Sequence, residues 1–175
     1  MEFKEFGKIP RLSREVVITE KIDGTNALIA IGENGEFSAG SRSRWITPEV
    51  DNAGFAKWAY ANKDELMKLG PGFHYGEWWG QGIQRGYGLK EKRFSLFNVK
   101  RWADERPSCC GVVPVLWVGV FTTDAISTQI ERLATLGSVA APGFMKPEGI
   151  VIYHVAGGYF FKKTIEKDDA PKGVS

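Results

Sequence analysis

The stretch EKIDGTN, residues 20–26, sets Lys21 at the end of an apolar run and follows it at once with an Asp-Gly turn. An amine on a strand end, partly withdrawn from water, loses proton affinity. In its neutral form it can attack an electrophile, more readily beside another cation. Gly24 permits a tight turn and a close approach of substrate to backbone. Asp23 and Asn26 bring polar groups near the amine, although Asp23 equally suits a residue that only fixes the turn. A solvated strand-end lysine has the same local sequence, so this stretch alone leaves both readings open.

Five further segments change that balance. In chain order they are GSRSRW (40–45), FHYGEWWG (73–80), FSLFNV (94–99), PEGIVIY (147–153) and YFFKKT (159–164). With EKIDGTN they resemble motifs I, Ia, III, IIIa, IV and V of the covalent nucleotidyltransferases, the superfamily of polynucleotide ligases and RNA capping enzymes. Each motif is short, but six in order from residue 20 to residue 164 span nearly the whole chain. Asn26 stands where DNA ligases and capping enzymes usually carry arginine. The chain is therefore similar to the adenylyltransferase domain of RNA ligases of the phage type 2 and RNA-editing kind.

The resemblance implies an ATP-dependent RNA ligase with roles for particular residues. Lys21 is the nucleophile that takes AMP from ATP. Arg42 contacts ribose or phosphate, with Arg44 competing for that role. Glu77 accepts a hydrogen bond from a ribose hydroxyl. Phe97 stacks on adenine, with Phe94 as the alternative, since strand alternation separates the two. Glu148 binds Mg²⁺ or Mn²⁺, for which one carboxylate is compatible. Lys162 contacts the α-phosphate. The family pattern K-x-K is broken here, because Lys163 and Thr164 follow Lys162. Lys163 joins the site only if a local bulge turns it inward. Asp23 and Asn26 are expected around the nucleotide, and the backbone of Glu20 at the adenine edge.

The implied partners are nucleic-acid ends, a 5′-phosphate and a 3′-hydroxyl, most simply of RNA, with an accessory protein conceivable for end binding. A small ligase of DNA or hybrid nicks and a non-catalytic nucleotide- or RNA-binding module are the alternatives. The loop QGIQRGYGLKEKR (81–93) interleaves Tyr87 with four basic residues. That suits contact with a nucleic-acid strand, or a solvated loop.

The elements that must hold these residues follow from pattern. EVVITEK (15–21) reads as a strand, and the next two strands form a hairpin at Glu33-Asn34-Gly35. Residues 47–70 read as one or two helices, with Pro48 in a first turn and Gly70 as the stop. FHYGEWWG, RFSLFNVKRW (93–102) and residues 112–121 read as strands. TTDAISTQIERLATLGS reads as a helix capped by Thr122, Thr123 or Asp124 and ended near Gly137. EGIVIYHV and GYFFKKTIE are the last strands, before a PKGVS tail. Strands outnumber helices and come in hairpins. The expected class is α+β, antiparallel sheets with flanking helices, and the resemblance implies the adenylation domain of ligases. One domain over 1–175 is expected, a catalytic core without an OB-fold or C-terminal domain.

Composition sets the remaining bounds. The 175 residues are 43% hydrophobic and 25% charged, with a net charge of +2, which suits a folded chain rather than a disordered one. Cys109 and Cys110 are adjacent and the only cysteines, so no disulfide framework exists. His74 and His154 read as packed or solvated side chains, and with the cysteines they make no zinc site. The start MEFKEFGKIPRL lacks a long apolar core. The location expected is cytoplasmic, the host's cytoplasm if the chain is phage-encoded, with no membrane partner.

Overall fold

The computed structural model describes residues 1–169; the expected PKGVS tail lies outside the described residues. In β1 (Glu15–Lys21), Val16 and Ile18 are fully buried while Val17 and Lys21 are only partly covered. A slip of one residue would expose both aliphatic side chains, at a cost of roughly 3–6 kcal/mol. That burial fixes which way Lys21 points.

Further strands are β2 (Thr25–Ile31), β3 (Phe37–Ser41), β4 (Trp45–Ile46), β5 (Gly72–Gly80), β6 (Lys92–Leu96), β7 (Cys110–Val112), β8 (Val115–Val120), β9 (Gly149–His154) and β10 (Tyr159–Thr164). They form a four-stranded sheet, order β10-β9-β1-β8, and a six-stranded sheet, order β4-β3-β2-β5-β6-β7. Neighbouring strands are antiparallel except β6 and β7. The helices are α1 (Phe55–Ala61), α2 (Lys63–Leu66), α3 (Val99–Trp102) and α4 (Thr123–Leu136). This is the expected α+β class.

Three apolar clusters hold the layers. Ile29, Trp78, Phe94 and Leu96 of the six-stranded sheet pack with Phe55 of α1 and Leu66 of α2. Val16, Ile18, Ile150 and Ile152 of the four-stranded sheet pack with Leu133 of α4. The third joins the sheets: Ile22 just after β1, Trp79 of β5, Tyr87, and Val113 between β7 and β8. The faces turned away from the first two clusters border a cleft of about 770 Å³, lined by Val17, Thr19 and Val151 on one side and Tyr75 and Phe97 on the other.

Three sequence expectations are corrected. Pro48 lies in a bend, and α1 starts at Phe55. The first N–H groups of that helix are met by the Asp51 carboxylate, which accepts from Ala56 N (2.7 Å) and Lys57 N (3.0 Å). The run 93–102 is a strand only to Leu96. Asn98 then caps α3 by accepting from Arg101 N. The run 112–121 is split between β7 and β8, with Pro114 in the gap. The α4 cap is Thr122, which accepts from Ala125 N at 3.0 Å, and Gly137 ends the helix at φ 84°.

His74 is buried on β5, its Nε2 donating to the Gly70 carbonyl at 2.8 Å. Burial holds its pKa below the usual histidine value, so the fold carries it neutral. In the unfolded chain it protonates near pH 6.5. The stability this difference supplies is complete above that pH and lost as pH falls through the folded pKa. The thermal midpoint is therefore expected to drop between about pH 7.5 and about pH 5.5, and to drop less in His74→Gln. Equal drops would remove His74 as the cause.

Candidate active site

Lys21 ends β1 opposite Gly149 of β9. A Cβ on Gly149 would lie 2.2 Å from the Lys163 carbonyl, so only glycine lets β10 close up here. The residue before it, Glu148, is 4% exposed. Lys21 Nζ donates to Glu148 Oε2 at 2.8 Å. The first and fourth motifs thus meet across 127 residues of chain, in a setting where a charged hydrogen bond is worth more than at the surface.

The Asp23-Gly24 turn is held from two sides. Gly24 N donates to Glu77 Oε1 at 3.0 Å. A Cβ at Gly24 would fall 2.3 Å from the Trp78 carbonyl and 2.7 Å from Trp79 Cβ, so the turn lies directly on β5. Asp23 N donates to the Tyr87 hydroxyl at 2.7 Å, and Asp23 Oδ2 accepts from Arg85 Nε at 3.0 Å. Asn26 stands opposite Glu77 in the β2–β5 pair. Lys21, Asp23, Asn26, Glu77 and Glu148 therefore come to one neighbourhood.

Motif V divides as its alternation demands. Lys162 is opposite Val151, itself opposite Thr19, so it stands on the strand face of Lys21. Lys163 is opposite Ile150, on the α4 side, and pairs with Asp168 at 3.0 Å. The structure does not bring Lys163 to the other site residues, and no bulge turns it inward. Phe97 is half-buried and lines the cleft, whereas Phe94 is a core ring against Phe55 and Trp58. Arg42 and Arg44 are both exposed just beyond β3.

Glu20 points away from Lys21. Its side chain is 1% exposed and accepts from Ser138 Oγ (2.6 Å), Val139 N (2.8 Å) and Ala140 N (2.8 Å). This carboxylate ties the segment after α4 to β1. Its backbone N–H is taken by the Pro114 carbonyl at 3.0 Å.

Sequence reasoning missed what Arg85 and Tyr87 do. Tyr87 is buried, and burial pushes its hydroxyl pKa up, so it stays a neutral hydrogen-bonding group. Arg85 reaches Asp23 and also the Lys146 and Pro147 carbonyls (2.8 and 3.2 Å). Of the other basic residues in that loop, Lys92 donates to the Ala53 carbonyl and Arg93 pairs with Glu91. Glycines on both sides of Tyr87 were the available hint of an ordered anchor. Nothing local marks Arg85, whose partners lie more than 60 residues away.

Among the described residues no group of three or more His, Cys, Asp or Glu stands together as a metal cage. Glu148 offers hard carboxylate oxygen beside the Lys21 amine. That fits a cation such as Mg²⁺ or Mn²⁺, which draws most of its ligands from water and substrate phosphates. No helix among the described residues is long and apolar enough to cross a membrane.

The sequence pattern of the RNA ligase family matches residues 14–165. No curated protein matches the chain. Among solved structures, a Naegleria gruberi RNA ligase variant with ATP and Mn aligns over 90% of this chain and 52% of its own, at 21% identity and a TM-score of 0.64. The same ligase with pyrophosphate aligns over 87% and 50%, at 22% identity and a TM-score of 0.65. A variant with AMP and Mn gives 87% and 50%, at 23% identity and 0.63. At these identities the likeness is one of fold. The chain spans about half the length of these proteins.

Proposed function

Because the chain belongs to the RNA ligase family, we propose that it is an ATP-dependent RNA ligase core working through an AMP-lysine intermediate at Lys21. The observation that carries this reading is the 2.8 Å contact of Lys21 with Glu148, with Glu77, opposite Asn26, holding the turn that follows Lys21. A binding module has no need of an amine held in this way.

The steps are three. The neutral Lys21 amine attacks the α-phosphorus of ATP; an N–P bond forms and the P–O bond to pyrophosphate breaks. A 5′-phosphate oxygen of the nucleic acid then attacks the same phosphorus, freeing the lysine and giving a 5′–5′ adenylylated end. Finally a 3′-hydroxyl attacks the 5′-phosphate, the phosphodiester forms and AMP leaves.

Each step moves a phosphoryl or nucleotidyl group at an anionic centre, so positioning and charge neutralisation dominate. Phe97 and Val151, on opposite walls of the cleft, are proposed to hold the adenine between them. Glu77 and Asn26 face the ribose, and Arg42 and Lys162 face the phosphates. A divalent cation held at Glu148 would offset phosphate charge and help keep the amine unprotonated. Manganese accompanies ATP or AMP in the Naegleria structures, which supports Mg²⁺ or Mn²⁺ here.

The test is joining of a 5′-labelled strand at a nick, with ATP and Mn²⁺. The proposal expects a phosphatase-resistant product and an adenylylated intermediate, formed faster when the 3′-hydroxyl strand is RNA than when it is DNA. Faster sealing of DNA would favour a DNA or hybrid nick ligase instead.

A further inference from the structure

The loop between β5 and β6 does more than connect them. Gln84 (φ 46°) and Tyr87 (φ 54°) both adopt left-handed backbone, which non-glycine residues hold only where the surroundings demand it. They flank Arg85 and direct it, with Tyr87, onto the Asp23 turn. Tyr87 is locked by Trp79 (5.1 Å between centroids) and Phe144 (4.6 Å). Arg85 spends its guanidinium on three acceptors: the Asp23 carboxylate, two residues past Lys21, and the carbonyls of Lys146 and Pro147, just before Glu148. One planar fork therefore spans the two segments that carry the nucleophile and its carboxylate.

We infer that Arg85 is a positioning residue that holds the Lys21 segment and the Glu148 segment in mutual register, so that the amine faces the cleft before ATP binds. This rests on the Lys21 reading. Arg85 is 32% exposed in its side chain, and its guanidinium is taken up by the two segments that flank Lys21 and Glu148, so in this proposal it acts through Lys21. Lysine cannot replace it fully, because one ammonium cannot serve the carboxylate and both carbonyls in that fixed geometry.

The experiment measures AMP incorporation from α-labelled ATP with Mn²⁺ at a range of ATP concentrations. It compares the full chain with Arg85→Ala, Arg85→Lys, Asp23→Ala and the Arg85→Ala/Asp23→Ala double variant. The maximal rate should fall about 10- to 100-fold in Arg85→Ala, with half-saturating ATP changed less than about threefold. Arg85→Lys should lie between. The double variant should be no slower than the slower single one, since both break the same brace.

A raised half-saturating ATP with an unchanged maximal rate would overturn the proposal and make Arg85 a nucleotide contact. Wild-type incorporation with impaired end joining would overturn it in favour of a nucleic-acid contact. Should Arg85→Ala fail to fold, Arg85→Lys decides, and a wild-type rate in that variant contradicts the proposal. If the wild-type chain itself takes up no AMP, the Lys21 reading fails first and this one with it.

Discussion

Replacing Glu148 by alanine is expected to slow AMP incorporation about 100- to 1,000-fold while leaving the fold intact. Two losses combine. Lys21 Nζ gives up an acceptor at 2.8 Å, and the site gives up a nearly buried oxygen suited to a divalent cation. The stability cost should be about 3 kcal/mol, since the ammonium loses a nearly buried partner, although Lys21 keeps 18% of its side chain exposed and can turn partly to water. Glu148→Gln separates the two losses. It keeps an oxygen for the amine but no charge for a cation. Initial rates at saturating ATP and Mn²⁺ should find it nearly as slow as Glu148→Ala. Recovery to near wild-type rates would show that orienting the lysine is all Glu148 does.

The second large effect is on stability. Gly24→Ala places a methyl group 2.3 Å from the Trp78 carbonyl, 2.7 Å from Trp79 Cβ and 3.1 Å from Glu77 Cγ. The nearest obstacle is sheet backbone and cannot step aside. The turn must lift away from β5, stretching the Gly24 N to Glu77 bond. The cost should be about 3 kcal/mol, a fall in thermal midpoint of roughly 10 °C. Gly7→Ala, whose added Cβ meets nothing within 4 Å, is the control and should melt as wild type. Matching melts for the two variants would mean that the turn does not lie on β5 as described. AMP uptake by Gly24→Ala should also weaken, since Glu77 loses the turn that aims it.

These two sites differ in how far sequence could reveal them. The turn was legible: β-branched residues mark β1, Asp-Gly marks its end, and only glycine suits such a contact. The hairpin at Glu33-Asn34-Gly35 and the capped helix α4 were legible for the same reason, since their signals are local. The strand reading of 93–102 failed because Asn98 accepts from Arg101 N and diverts the chain, which the apolar pattern does not register. Pro48 misled because the groups that open α1 are satisfied by Asp51, close to the helix in space and already past the proline in sequence.

The site itself was legible only as a set of ordered motifs. Nothing near Lys21 announces Glu148, because their contact depends on the β1–β9 register. Glu20 shows the converse. It adjoins the nucleophile in sequence, yet strand alternation turns its side chain to Ser138 on the opposite face. Arg85 was invisible because its partners are carbonyls and a carboxylate that only the fold brings together.

In the proposed reaction Lys21 carries AMP. The most direct measurement is peptide mapping by mass spectrometry of wild type and Lys21→Arg after incubation with ATP and Mn²⁺, alongside protein treated with pyrophosphate to strip any AMP already bound. One AMP is expected on the wild-type peptide containing Lys21, removable by pyrophosphate, and none on Lys21→Arg. AMP on another residue, or an unmodified wild-type chain in every condition, would contradict it.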